Sequence, residues 1–147
     1  MYNPIRWIGL PALLAAGLLV LGCSKEPSRY QVSGKVTFKG APVALGRIYF
    51  DPDAAKKNDG LQGYAEIKNG EYDTAKGGKG TTGGPVVVRI EAFDGVGTDP
   101  ERPNGKPLFP YWQEQVELPK EAKITKNFDV PASAVNMKPG GKGYVGP

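Results

Sequence analysis

The sequence contains no histidine and only one cysteine, Cys23, among its 147 residues. Without histidine there can be no Ser-His-Asp triad, no Cys-His pair and no imidazole metal site. One cysteine cannot form a disulfide within the chain, so a folded domain must rely on its core and on strand pairing. Glycosidases need only two carboxylates, but charged side chains on strand faces and in loops are the usual explanation for such residues. The composition therefore predicts a protein that is not an enzyme, with a hydrolase as the less favoured alternative.

Long helices and strong charge are also missing. The chain has 21 Gly and 14 Pro, and no stretch after Cys23 keeps a 3.6-residue apolar period beyond one turn. The formal net charge of +4 is carried by scattered single residues, which is not the footprint of a nucleic-acid-binding protein. These features predict one small all-β domain that binds no nucleic acid and needs no cofactor.

The chain begins with an apolar run that ends at its only cysteine. Residues 1–6 carry a single positive charge, and residues 7–21 carry none. Gly22, a small residue, directly precedes Cys23, and the pattern is typical of an export signal. The sequence Val-Leu-Gly-Cys resembles the lipobox of bacterial lipoproteins. That resemblance implies cleavage between Gly22 and Cys23 and attachment of diacylglycerol to the Cys23 thiol.

Two other interpretations of this run remain open. The run could be an uncleaved membrane anchor, although about 15 to 17 apolar residues is short for a spanning helix. Cys23 could instead be an ordinary buried thiol, since free cysteine behaves as a small hydrophobe. The lipoprotein interpretation predicts a signal peptide over residues 1–22 and a lipidated tether over 23–29. It places the protein in the cell envelope, membrane-anchored and facing the periplasm or the cell exterior.

Alternating apolar and polar residues predict the body of the domain. Ile48 and Phe50 should face inward on one strand, and Val88, Ile90 and Ala92 on another. Asn-Gly at 69–70 predicts a tight hairpin, because a type I′ turn needs positive φ at both central residues. Residues 94–110 lack periodicity and predict one long loop. The predicted strands are 31–39, 46–51, 64–68, 71–74, 86–93, 115–118 and 125–130.

Seven short strands at this spacing predict a seven-stranded antiparallel β-sandwich. The domain should span residues 30–131, and the tail of Gly, Pro and Lys at 132–147 should be disordered. Several motifs of the domain resemble the transthyretin-like, carboxypeptidase-regulatory-like domains of small bacterial lipoproteins. These motifs are VSGKVT (32–37), GAPV (40–43), GRIYFDP (46–52), NGEY (69–72), GGPVVVRI (83–90) and PY (110–111). The resemblance implies a prealbumin-like sandwich with no catalytic apparatus of its own, whereas the glycines at 77–84 and the basic tail depart from it.

Two groups of residues are candidates for binding. Tyr111 and Trp112 follow the long loop, and aromatic rings stack on sugars and anchor protein interfaces. The alternative is that both rings simply cover the end of the core. Asp51, Asp53 and Asp59 are a candidate calcium site, because their carboxylate oxygens are ligands that calcium prefers. The prediction is weak, because the spacing lacks the closing glutamate of an EF-hand. A polar turn that caps its own backbone is the competing explanation.

The sequence as a whole predicts a lipid-anchored, non-enzymatic envelope protein whose domain is a structural or interaction module. Its partners would be the membrane, through the lipid, and an envelope protein or glycan. The alternative is a carbohydrate- or peptide-binding module that uses Tyr111, Trp112 and the 94–110 loop.

Overall fold

In a computed structural model, the described parts of the chain are residues 28–110 and 112–138. Gly22, Cys23, Tyr111 and the tail from residue 139 onward lie outside them. The described residues form strands and two short 3₁₀ helices, Ala54–Lys56 and Ala132–Asn136, with no α-helix among them. No helix in these two ranges is long and apolar enough to cross a membrane. The ten strands are β1 (Gln31–Phe38), β2 (Ala41–Pro42), β3 (Leu45–Pro52), β4 (Gly63–Lys68), β5 (Glu71–Asp73), β6 (Gly78–Lys79), β7 (Gly84–Phe93), β8 (Gln113–Leu118), β9 (Lys123–Thr125) and β10 (Phe128–Val130).

The strands form one sheet in the order β10-β1-β5-β4-β3-β7-β8, with β2 and β9 also paired to β1 and β6 paired to β4. The prediction of an all-β fold is confirmed for the residues that the structure describes. Most pairings are antiparallel, as predicted, but β9 and β10 both run parallel to β1. Strand β1 thus pairs with β5 and β9 in its first half and with β2 and β10 in its second.

The sheet curls strongly. In the sheet order β10 is six places from β8, which in a flat sheet would separate them by about 29 Å at about 4.8 Å per strand. Yet the ring centroids of Trp112, just before β8, and Phe128, in β10, are only 6.3 Å apart. Phe128 also lies against Phe50 and Tyr72, at 6.4 and 6.2 Å between centroids. These aromatic rings form the centre of the core that the curled sheet encloses.

The predicted inward positions are confirmed. Ile48, Phe50, Val88, Ile90 and Ala92 are all buried. The hairpin between β4 and β5 also forms as predicted, with φ of 51° at Asn69 and 79° at Gly70.

The predicted strand 125–130 is instead two strands, β9 and β10, separated by Lys126 and Asn127. At this break the N–H of Lys126 donates to the carbonyl of Ser33, 2.9 Å away. The side-chain oxygen of Asn127 accepts from the N–H of Lys35, also at 2.9 Å. A Cβ atom at Gly34 would collide with the carbonyl oxygen of Lys126. The chain therefore crosses β1 closely at a glycine and resumes pairing beyond it.

Regular structure also forms in the glycine-rich segment and in the predicted tail. The glycine-rich segment 77–84 includes the short strand β6, which pairs with β4. The start of the predicted tail, Ala132–Asn136, is a 3₁₀ helix in which Ala134 is fully buried. Met137 also packs against the core, so contacts with the core continue past residue 131.

Candidate functional site

A two-residue bulge opens the sheet beside β7. Strand β8 pairs regularly with β7 as far as Arg89 opposite Gln113, and the N–H of Ile90 donates to the carbonyl of Trp112 at 3.2 Å. Farther along β7, the carbonyl of Ala92 accepts from the N–H of Leu108 at 2.9 Å. From one of these hydrogen bonds to the other, β7 advances by two residues and the facing chain by four. Bulges of this kind bend a strand and are frequent next to functional sites.

The bulge leaves a cleft of about 230 Å³ between β7 and the segment that leads into β8. That volume is below the range typical of small-molecule sites and suits a single side chain or one sugar ring. Aromatic rings, prolines and two charged side chains line it. Among these residues are Arg89, Glu91, Phe93, Pro107, Phe109, Pro110 and Trp112. We call this feature the bulge cleft.

Trp112 serves mainly as a core residue. Its side chain is only 5% exposed and meets Phe128 edge-on. Phe109 is equally buried and packs against Phe38, with 5.1 Å between ring centroids. Trp112 therefore covers the core, as the competing interpretation expects, while also lining the floor of the bulge cleft. Tyr111, its predicted partner, lies outside the described residues.

The two charged side chains that line the cleft, Arg89 and Glu91, each have a hydrogen-bond partner on β3. The guanidinium of Arg89 donates from Nε to the carboxylate of Asp51 and lies over the ring of Tyr49, 4.7 Å from its centroid. The hydrogen bond to Asp51 raises the pKa of Arg89 above its usual value. The hydroxyl of Tyr49 donates to Glu91 at 3.4 Å. Across the described residues, no buried side-chain nitrogen or oxygen lacks a hydrogen-bond partner. Hydrogen bonds from β3 therefore hold both Arg89 and Glu91 in place at the cleft.

The long loop after β7 is an ordered lobe closed at its base. The N–H of Asp94 donates to the carbonyl of Lys106 at 3.0 Å, and the N–H of Gly95 donates to that of Asn104 at 3.1 Å. The carboxylate of Asp94 accepts from the N–H groups of Val96 and Lys106, at 3.0 and 2.9 Å. These two bonds lower the pKa of Asp94 below its ordinary value. We call residues 94–106 the loop lobe.

The calcium candidates each have local partners. Asp51 is bound to Arg89 and Gln62. Asp53 is buried and caps the first 3₁₀ helix by accepting from the N–H of Ala55 at 3.1 Å. Asp59 is exposed. The part of the chain that the structure describes contains no group of three or more His, Cys, Asp or Glu that could hold a metal.

A second, wider groove of about 600 Å³ lies over the outer faces of β1, β4 and β5. Its walls include Lys35, Glu71 and Asp73, together with ion pairs of Lys68 with Glu66 at 2.6 Å and of Lys76 with Asp73 at 3.6 Å. Sequence reasoning missed this groove because each strand, taken alone, shows only ordinary outward-facing polar residues. The groove is open and its charges largely offset one another, so the bulge cleft remains the better-formed candidate.

No protein-family model, curated protein or solved structure matches this chain significantly. The resemblance to transthyretin-like lipoprotein domains therefore remains a prediction from short motifs.

Proposed function

We propose that this protein is a lipid-anchored, non-enzymatic component of the cell envelope whose β domain serves as a structural or interaction module. The proposal starts from the apolar run that ends at Gly22 and Cys23. Cys23 would carry the diacylglycerol, and N-acylation of the mature chain would make the anchor durable, since two or more acyl chains hold a protein stably in a bilayer. Residues 24–29 would form the tether.

The observation that carries this proposal is the separation of the two ends of the domain. The tether would join the domain at Tyr30, which pairs with Thr81 immediately before β1. The eight residues of β1 extend for about 25 Å before reaching Phe38, whose ring contacts Phe109 beside the bulge cleft. An anchored domain with this geometry would present the loop lobe and the cleft away from the lipid. That orientation suits a module that meets partners in the envelope.

We further propose that the curled sheet forms a seven-stranded sandwich of the transthyretin-like kind. The pairing of β1 with different strands in its two halves supports this, because a strand that changes partners can join two layers. The contact of Phe50 in β3 with Phe128 in β10 adds a second argument, since these strands lie four places apart in the sheet order. An experimental structure that shows one open sheet would overturn the sandwich assignment.

Replacing the cysteine tests the anchor. We expect Cys23→Ala to release the protein from the membrane fraction, or to leave it as an unlipidated, uncleaved precursor, because no thiol remains for the lipid. Ser24→Ala, at the next position, should behave as the unaltered chain. A Cys23→Ala protein that is still cleaved and membrane-bound would refute the assignment.

The bulge cleft supports a second candidate function, the binding of a glycan or an extended peptide. Its aromatic and proline lining offers a stacking surface. Phe93 is half-buried there, so Phe93→Ala should weaken retention on envelope polysaccharide or on a peptide array. Val96→Ala, at a residue that is 61% exposed and is not among the cleft residues, is the matched control. Equal retention of both variants would exclude the cleft as the binding site.

A hydrolase is the least favoured function. It would require turnover that disappears when a single carboxylate is replaced. The absence of hydrolysis across glycoside and ester substrates would end that hypothesis.

A further inference from the structure

One end of the domain gathers several loops around the point where the chain enters. The N–H of Tyr30 donates to the carbonyl of Thr81 at 2.7 Å, and the N–H of Gln31 donates to that of Ala122 at 3.2 Å. The side chain of Asn58 donates to the carbonyls of Gly83 and Pro85, at 3.0 and 2.6 Å. These bonds join loops that are far apart in sequence into one surface. We call it the tether end, and it comprises residues 28–30, 53–60, 73–83 and 119–123.

Positive charge is concentrated at the tether end. Its four segments contain seven basic residues and four acidic ones, whereas the other described residues contain nine basic and ten acidic ones. The excess positive charge of the described domain is therefore found at this end alone. The basic residues are Arg29, Lys56, Lys57, Lys76, Lys79, Lys120 and Lys123.

Two of the four acidic residues at the tether end are paired with lysines of the same surface, Asp53 with Lys56 and Asp73 with Lys76. Asp53 is 3% exposed, and its carboxylate accepts from the backbone of the 3₁₀ helix. The side chains of Lys79, Lys120 and Lys123, by contrast, belong to exposed residues. Asp59 and Glu121 are exposed as well, so this surface keeps the net excess of three positive charges that its seven basic and four acidic residues give.

We propose that the tether end docks on the anionic headgroups of the membrane that holds the lipid anchor. This inference rests on the proposed function, because a tether of a few residues would hold this end near the bilayer. Each Lys or Arg close to an anionic bilayer strengthens attachment, and the effect falls off within a Debye length. The lysines would orient the domain on the surface, and the loop lobe would face outward.

Vesicle flotation tests the docking with the full chain carrying Cys23→Ala, so that no lipid anchor contributes. Vesicles of phosphatidylcholine alone are compared with vesicles that also contain phosphatidylglycerol. Because Arg6 and Lys25 of the N-terminal segment can also favour anionic vesicles, docking of the tether end is measured by how much of the difference between the two compositions is lost on charge reversal there. In the triple variant Lys79→Glu, Lys120→Glu, Lys123→Glu, the preference in binding for anionic over neutral vesicles should fall at least about tenfold.

The matched control reverses three basic residues at the opposite end, Lys39, Arg102 and Lys106, and changes the net charge equally. We expect this control to keep most of the preference for anionic vesicles. On the chain without charge reversals, high salt should abolish the preference, which tests the idea even if a variant fails to fold. Equal losses in both triple variants, or no preference for anionic vesicles, would overturn the docking proposal. Neither result would bear on the proposed lipid anchor, because membrane fractionation of the Cys23→Ala protein tests the anchor separately.

Discussion

At Gly34 the path of the chain depends on the absence of a side chain. An added Cβ would collide with the carbonyl oxygen of Lys126, where the chain passes over β1. Because a backbone atom cannot move aside cheaply, Gly34→Ala should lower the free energy of unfolding by about 1–3 kcal/mol.

Gly77 offers the matched control for this substitution. An added Cβ there meets no atom within 4 Å, and the φ of Gly77 is not positive. Gly77→Ala should therefore be neutral or slightly stabilising, because alanine restricts the unfolded chain. Urea unfolding of both variants checks the pair. Equal stabilities would mean that the close crossing of Lys126 over β1 is wrong.

The buried phenol of Tyr72 should make the unfolding free energy depend on pH in the alkaline range. Its side chain is 3% exposed, and its hydroxyl donates to the carbonyl of Lys126 at 2.7 Å. Burial raises the pKa of this phenol above its usual value of about 10. Because the pKa of Tyr72 is raised in the folded state, the protonated phenol contributes its full share to the unfolding free energy below pH about 10. It is lost as the pH rises from there through the raised value, because the unfolded chain ionises first.

The unfolding free energy should consequently fall above pH about 10 in the unaltered chain and fall less steeply in Tyr72→Phe. At neutral pH this variant should lose about 0.5–1.5 kcal/mol, because the carbonyl of Lys126 loses its donor. Tyr64→Phe, at a half-buried tyrosine of β4, is the control and should keep the alkaline slope. If Tyr72→Phe retained the full slope, another group would be responsible for it.

Among the elements of the fold, the loop lobe is closed by backbone hydrogen bonds and by the carboxylate of Asp94. Because Asp94 accepts from two N–H groups at the two ends of the lobe, Asp94→Ala should increase amide exchange throughout residues 95–106. Hydrogen exchange read by mass spectrometry would measure this. Asp94→Asn should retain most of the protection, since an amide oxygen can accept the same two bonds.

Because the pKa of Asp94 is lowered, the order of the loop lobe should change only at acidic pH. A carboxylate whose pKa is depressed in the folded state contributes order above its unfolded value of about 3.9. That contribution is lost as the pH falls through the lowered value. Exchange in the lobe should therefore rise only under strongly acidic conditions. Unchanged exchange in Asp94→Ala would show that the backbone pairing alone closes the loop.

The elements that sequence predicts well are those defined by neighbouring residues. Ile48 and Phe50 alternate with polar residues, and Asn69 with Gly70 encodes a turn of fixed geometry, so both signals are local. The division of the last predicted strand is different, because it depends on Gly34, more than 90 positions away in the sequence. The burial of Ala134 likewise depends on a core that local patterning does not show.

The candidate site was only partly predictable for the same reason. The aromatic character near Trp112 is visible in the sequence, but its burial against Phe128 is a tertiary contact. The bulge itself is a mismatch between two pairing registers, one through Gln113 and one through Leu108. Neither register can be read from one segment alone, and so the cleft emerges only once β7 and its partner are aligned.

On the scale of the whole molecule, the two ends of the domain should meet different surroundings. The tether end is basic and lies where the chain enters, whereas the loop lobe and bulge cleft lie about a strand length away. If the lipid anchor and the docking surface act together, the tether end is covered by membrane. Protein partners would then have access mainly to the opposite end.

In-cell photo-crosslinking from two exposed positions tests this polarity. A photoreactive residue in place of Asn104, in the loop lobe, should capture one dominant envelope protein or glycan. The same residue in place of Glu121, at the tether end, should give mainly lipid adducts, because that surface would lie against headgroups. Both positions are exposed, so a difference in capture reflects their surroundings and not their accessibility. Diffuse capture of abundant envelope proteins from both positions would contradict an oriented interaction module and favour a passive structural lipoprotein.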